Sequence, residues 1–295
     1  MAVESRAATR PRALPRAAAL PAVPVGRLLL HAVAIVMCAV MIFPLLWMLS
    51  TAFKGPTEIF TAAPRLIPLQ PTLDNFGAAF ADKPVLAWIR NTVLIAVATT
   101  LLRLLITIPA AYAFARLRFP RKGVLLGIVI GTMIIPGVVT LIPNYLLIAR
   151  LGWINTLQGV VVPMAASSAF FIFLFRQHIL QIPIDLYDAA ELDGAGHLRM
   201  LRDITVPLIV PAIGAMIALS FLWSWNAYLW PLLVLPTLDA QTLAVGLGTY
   251  AGDPDGVQLW GPLMSVALLS SLPPLVLFLG AQKLLTEALT SGLKG

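Results

Sequence analysis

The chain has 295 residues, 59% of them hydrophobic and only 11% charged, with a formal net charge of +7. Soluble domains carry roughly 25% charged residues, so this chain lacks the polar groups to cover a folded surface and reads as a polytopic membrane protein. The basic residues sit beside apolar runs, which argues against nucleic-acid binding, and the lone cysteine, Cys38, lies inside an apolar run, which excludes a disulfide framework and a cysteine metal site.

Residues 1–27 are rich in Ala, Pro and Arg (Arg6, Arg10, Arg12, Arg16, Arg27), the composition of a disordered basic tail rather than a cleaved signal peptide. A spanning helix needs ~20 mostly apolar residues. Six runs meet that, at about 28–50, 86–113, 123–149, 154–178, 206–236 and 261–284. Pro136 and Pro143 in the third run predict an irregular helix, tolerated in a membrane where neighbouring helices or cavity water satisfy the freed backbone groups. Lys and Arg in the connecting segments set the orientation. With the N-terminus inside, cytoplasmic segments carry fourteen of them, including Arg116, Arg118, Arg121, Lys122, Arg176, Arg199 and Arg202, against four outside (Lys54, Arg65, Lys83, Arg150). Both termini are therefore expected in the cytoplasm. The outer segments are the Pro-rich loop 51–85 and the loop 237–260, which carries Asp239, Asp253 and Asp255 and no basic residue.

Between the fourth and fifth runs lies Asp188–Pro211. Pro183 and Asp185 (as N-cap) are start signals for a short amphipathic helix, Leu186, Ala189, Ala190 and Leu192 make its apolar face, and Gly194 is its natural stop. A second short helix is expected from about His197 to Thr205, ending before Pro207. On composition alone this is an ordinary inter-helix loop. Its residue order, however, resembles the "EAA" loop of the membrane subunits of ATP-binding-cassette importers. Asp188-Ala189-Ala190 precedes Asp193-Gly194-Ala195, followed by Ile204, Pro207, Leu208 and Pro211 at that family's spacing. AYAFARLRFPRK (111–122), the run 135–163 and WNAYLWPL (225–232) are similar to further stretches of carbohydrate-importer permeases, as are Phe53-Lys54, Glu58-Ile59 and PTLDNF (71–76) in the first outer loop. Three departures stand out: Asp188 where the family usually has Glu, Ala227 where an acidic residue is common, and a C-terminal tail without the usual glycine pattern.

The resemblance implies an all-α bundle of six transmembrane helices, N-in and C-in, with the fold of a type I importer permease of the maltose type. It divides the chain into a tail (1–27), a permease domain (28–284) containing the coupling loop (181–206), and a C-terminal tail (285–295). It further implies a bacterial cell-membrane subunit that carries a sugar or related solute, paired with a second homologous permease, two ATPase subunits and an extracytoplasmic solute-binding protein. ATP and Mg would be bound by the ATPase, with no cofactor on this chain. The sequence agrees in having no G-x(4)-G-K-[ST] phosphate loop, no H-E-x-x-H, no G-x-S-x-G and only three distant histidines, so no catalytic site is visible. In the resemblance, Asp188, Ala189, Ala190, Glu191, Asp193, Gly194 and Ala195 dock on the ATPase. Asp188, Glu191 and Asp193 would pair with its basic groups, unless Asp193 caps the following turn. The alternative of a self-contained secondary transporter would require a midplane ion site and internal repeats, neither of which is evident.

Four residues inside the spans are candidates for the substrate path: Trp225, Asn226, Tyr228 and Arg103. The aromatic group (with Trp223 and Trp230) reads either as a sugar-stacking surface or as packing and an interfacial belt. Arg103, well inside the second run, must either face a cavity, a partner subunit or a carbonyl cluster, or snorkel to the membrane edge.

Overall fold

The computed structural model describes residues 25–251 and 259–291. Among these there is no strand; the chain is a succession of helices. It divides into two units, one ending at Leu46 and the other beginning at Trp47. The first unit is the start of α1 (Val25–Ala52), whose side chains from Gly26 to Leu46 are all exposed. An apolar helix exposed on every face belongs in lipid or against another membrane protein. Residues 25–27, which composition assigned to a disordered tail, are already helical because the apolar run that follows carries the helix back to them. The remainder of that tail lies outside the described residues.

The second unit holds the last turn of α1, then α2 (Pro56–Ile59), α3 (Asp74–Asp82), α4 (Val85–Arg116), α5 (Lys122–Gly131) and α6 (Gly137–Arg150). It continues with α7 (Leu157–Ala166), α8 (Ala169–Gln181), α9 (Ile184–Leu192), α10 (His197–Met200), α11 (Val206–Leu208), α12 (Val210–Trp225), α13 (Leu229–Val234), α14 (Leu243–Ala251) and α15 (Trp260–Ser291). Three helices, in α1, α4 and α15, are long and apolar enough to cross a membrane alone. Three bent pairs bring the number to six if each pair is one span. Residues 122–134 and 137–150 meet at 102°, α7 and α8 at 45°, and 197–208 and 210–225 at 78°.

The break in the third run falls at the proline that predicted it, and the other two were not marked in the sequence. Pro136 adopts an extended conformation (ψ 131°) and turns the third run through more than a right angle. Ser167 and Ser168 divide the fourth. The run expected at 206–236 bends at Ile209 and breaks again at Asn226–Tyr228, so that α13 is a separate helix. The loop 237–260 contains α14, and the C-terminal segment is helical as far as Ser291.

Helix α4 is the centre of the unit. Val85, Trp88, Thr92, Ile95, Thr99, Arg103, Thr107 and Ala111 are among its buried residues, a stripe at three- and four-residue spacing along most of its length. It packs against α7, α8, α12 and α14, and α12 in turn packs against α15. At the α4 start, Trp88 and Val85 share a core with Trp225, Leu243, Tyr250 and Val266. At its end, Ala111 and Tyr112 share one with Phe171, Phe175, Tyr187, Met200 and Ile209. The beginning of α4 is thus beside the end of α12 and the end of α4 beside its beginning, so the two helices are antiparallel.

The outer end is fastened by side chains that satisfy loop backbone. Trp88 Nε1 donates to the Leu238 carbonyl (2.7 Å), and Asn91 Nδ2 donates to the carbonyls of Asp239 (2.8 Å) and Gln241 (3.1 Å). In the first outer loop Glu58 accepts from the amides of Leu69 and Gln70, while Lys54, 1% exposed, donates to the Arg65 carbonyl (2.6 Å) with its ammonium 4.3 Å from the Trp47 ring centre. Asn75 Nδ2 ties this loop back to the carbonyls of Ala52 and Lys54.

Candidate functional site

The loop between α8 and α12 is built as a rigid projection. α9 begins at Ile184 with Pro183 as its N-cap, so Asp185, expected at the cap, lies inside the first turn. Proline fixes the entry dihedral, and an acidic side chain one residue in still favours the helix N-terminus. The other end is as the sequence predicts. Gly194 stands at φ +76°, its amide bonds the Glu191 carbonyl (3.0 Å), and the Ala195 amide bonds the Ala190 carbonyl (2.9 Å). These two bonds form a Schellman cap, which requires a left-handed residue and hence favours glycine. A Cβ on Gly194 would meet nothing within 4 Å, so the constraint there is in the backbone alone.

α10 follows from Gly196 without a side-chain cap, so the Asp193 carboxylate does not serve as one. The second short helix does not stop before Pro207. A π-helical turn at Leu201–Thr205 carries it to Leu208. A proline ring presses on the carbonyl four residues before it, here Asp203, and the wider π turn holds that residue and accommodates the ring.

Asp188, Ala189, Glu191, Leu192, Asp193 and Gly194 are exposed, and Ala190 and Ala195 half-buried. Leu192 is 90% exposed and Leu198 79%, an apolar pair on either side of the Gly194 turn with three carboxylates close in sequence. The seven residues predicted for docking therefore share one short projection.

What holds the projection was not legible in the sequence. Tyr187 of α9 is buried against Tyr112 of α4 and donates or accepts at Thr205 Oγ1 (2.8 Å). The Arg116 guanidinium lies 4.3 Å from the Tyr187 ring centre and donates to the carbonyls of Ile179 (2.6 Å) and Ile182. Ile179 is in the last turn of α8 and Ile182 is its C-cap; the Ile179 carbonyl also accepts from the Ile182 amide (3.3 Å), and Arg116 adds a charged donor to both end carbonyls. Arg116 thus caps α8 from α4, and the cation covers the ring that anchors α9. Arg176 repeats the device in reverse, donating to the Phe114 carbonyl (3.2 Å). An open cleft of about 540 Å³ lies between Arg116–Phe119 and α9, with Asp188, Glu191 and His197 on its wall.

The four path candidates separate. Arg103 is 5% exposed and neither snorkels nor faces an open cavity. Its Nε and Nη2 both donate to the Met164 carbonyl (3.2 and 2.6 Å), and Nη1 donates to Ser220 Oγ (3.0 Å). Met164 is in the last turn of α7, and its carbonyl would ordinarily bond the amide of residue 168, which turns instead to Ala166. Trp225 is 3% exposed, stacked on Phe221 (5.4 Å) and bonded to the Ser270 carbonyl, so it packs the core. Asn226 and Tyr228 are exposed at the α12–α13 break, and the Asn226 amide satisfies the Leu222 carbonyl. Among the described residues no group of three or more His, Cys, Asp or Glu is arranged to hold a metal.

Known proteins resemble the chain along most of its length. Residues 104–290 match the family described as binding-protein-dependent transport system inner membrane component. The sn-glycerol-3-phosphate transport system permease protein UgpE of Salmonella typhi is 29% identical over 270 residues, covering 90% of this chain and 96% of the relative. Its counterpart in Pectobacterium atrosepticum is 31% identical with the same coverage. A solved chain from a bacterial ABC transporter involved in the import of the acidic polysaccharide alginate superposes with a TM-score of 0.81 at 21% identity, covering 88% of this chain and 96% of that one. A second, from the alginate transporter in complex with an alginate pentasaccharide-bound periplasmic protein, gives a TM-score of 0.63 at 17% identity over 87% and 94%. The fold, the match over residues 104–290 and the relatives near 30% identity agree: the chain belongs to the binding-protein-dependent transport system inner membrane component family, and is a permease subunit of an ABC importer rather than an enzyme.

Proposed function

We propose that this permease imports a sugar or related polar solute across a bacterial inner membrane. In this reading it pairs with a second homologous permease, receives solute from an extracytoplasmic binding protein, and is driven by two ATPase subunits that bind ATP and Mg. α9 and its Gly194 turn seat in the ATPase, and Asp188, Ala189, Ala190, Glu191, Asp193, Gly194 and Ala195 form the contact. Asn226 and Tyr228, exposed at the α12–α13 break, are retained as solute contacts, whereas Arg103 and Trp225 act through packing.

The observation that carries the coupling assignment is the capped, clamped projection with Leu192 90% exposed beside Gly194. Leu192 and Leu198 together give the projection an exposed apolar surface that suits a partner, and the Tyr187–Arg116 clamp supplies a connection from it to α4 and α8. The substrate class rests on the relatives, whose names specify glycerol 3-phosphate and an acidic polysaccharide. Alternating access follows if ATPase closure, transmitted through α9, biases one of two arrangements of the spans.

The test is affinity purification of a tagged chain from its native membrane in mild detergent. An ATPase and a second permease are expected to accompany it, and the ATPase alone to be lost on Leu192→Asp, with this chain still inserted. Recovery of the chain alone, with reconstituted uptake driven by an ion gradient and indifferent to ATP, overturns the proposal.

A further inference from the structure

Arg103 is a buried cation whose partners are all neutral. Its three hydrogen bonds reach the Met164 carbonyl and the Ser220 hydroxyl, with the Phe171 ring centre 5.6 Å away. They engage three of the guanidinium's five N–H donors. The Ser220 hydroxyl also accepts from Thr100 (3.1 Å). One helical turn away lies a matching pair of groups: Thr99 Oγ1 and Ser224 Oγ are buried with no hydrogen-bond partner, at 0% and 2% exposure.

The placement of those two hydroxyls is informative. Thr99 precedes Arg103 by four residues, on the same face of α4. Ser224 follows Ser220 by four residues, on the same face of α12. Because α4 and α12 are antiparallel, both unpartnered hydroxyls lie on the same side of the guanidinium, toward the start of α4 and the end of α12. A long side chain on a helix lies over the turn N-terminal to its own Cα, which for Arg103 is the turn that carries Thr99. A buried hydroxyl without a partner is destabilising in the state that leaves it so. Two of them within a turn of a cation with unused donors describe a second seat.

We propose that Arg103 is a positioning residue with two seats. In the first it holds Met164 and Ser220, as seen here. In the second, adopted in the other access state, it binds Thr99 and Ser224. Neither seat contains a carboxylate, so the two differ little in charge stabilisation and exchange without separating an ion pair. Leaving the first seat releases the Met164 carbonyl at the α7–α8 break, so the exchange couples the α4–α12 contact to the bend between α7 and α8. Discrete alternatives of about one helical turn (about 5.4 Å) are a recurrent form of switching between packed helices.

The experiment uses the complete importer in lipid nanodiscs, with Cys38→Ser to remove the native thiol and Ala227→Cys, beside the α12–α13 break, as a reporter. The rate of maleimide labelling reads the ratio of access states. Ser220→Ala weakens the first seat and Ser224→Ala the second, so the two are expected to move the labelling rate in opposite directions, each about fivefold for the loss of one hydrogen bond. Ser224→Ala should leave the thermal midpoint unchanged or higher, because it removes a hydroxyl that is unpartnered in the first seat. Shifts in the same direction, no shift with Ser224→Ala, or a lowered midpoint for that variant would overturn the proposal. Co-purification of the ATPase with each variant separates this outcome from failure of the coupling reading, which predicts that neither serine affects docking.

Discussion

Gly194→Ala is the most direct perturbation of the docking projection. The residue stands at φ +76° in the Schellman cap, and an added Cβ meets nothing within 4 Å. No steric clash within the chain contributes, so the intrinsic cost is that of holding an L-residue in the left-handed region, about 1–2 kcal/mol. If α9 docks only in its capped form, that cost appears as a weaker complex, roughly five- to thirtyfold in Kd. Two companions define the cause. Asparagine tolerates the left-handed region better than alanine, so Gly194→Asn should fall between wild type and Gly194→Ala. Gly196→Ala should bind as wild type, because Gly196 has φ −74° and ψ 164° and its Cβ also meets open space. The assay is a titration of the purified ATPase onto the permease in nanodiscs. Binding of Gly194→Ala at wild-type affinity, or an equal loss with Gly196→Ala, would refute the reasoning.

Arg116→Met should remove the charged donor from the Ile179 and Ile182 carbonyls, leaving Ile179 only the Ile182 amide, and uncover the Tyr187 ring, costing about 1.5–3 kcal/mol for bonds to a charged group. Faster proteolysis within residues 184–200 and a lower thermal midpoint would register it, while Tyr187→Phe should be milder because Thr205 Oγ1 keeps the Met200 carbonyl. Gly246→Ala places a Cβ 2.3 Å from the Trp88 ring, which is fully buried and fixed by its bond to the Leu238 carbonyl. Overpacking there should cost about 1–3 kcal/mol, read as heat-induced loss of monodisperse protein. Gly248→Ala, which meets the hydroxyl of a half-exposed tyrosine at 3.2 Å, should be tolerated.

The sequence by itself determined the features that depend on near neighbours. Apolar run length placed the six candidate spans, the proline at 136 marked the irregular third, and the glycine at 194 marked the end of α9, because each acts through backbone geometry within a few residues. The order of residues 188–211 identified the family for the same reason, being a contiguous pattern. The tertiary structure decided what the buried polar groups do. Arg103 lies 61 residues from the carbonyl it forks onto and 117 from the serine it binds. Arg116 is 63 residues from its nearer α8 carbonyl. Neither partner is marked in sequence, since one is a main-chain oxygen exposed by a helix end and the other a serine like any other. Trp225 and Asn226 adjoin in the chain, yet one fills the core and the other faces out, because the break after α12 comes between them. Hydropathy shows that such residues lie in a membrane. Whether each forms a latch, a wall or a surface is set by which helix end packing brings beside it.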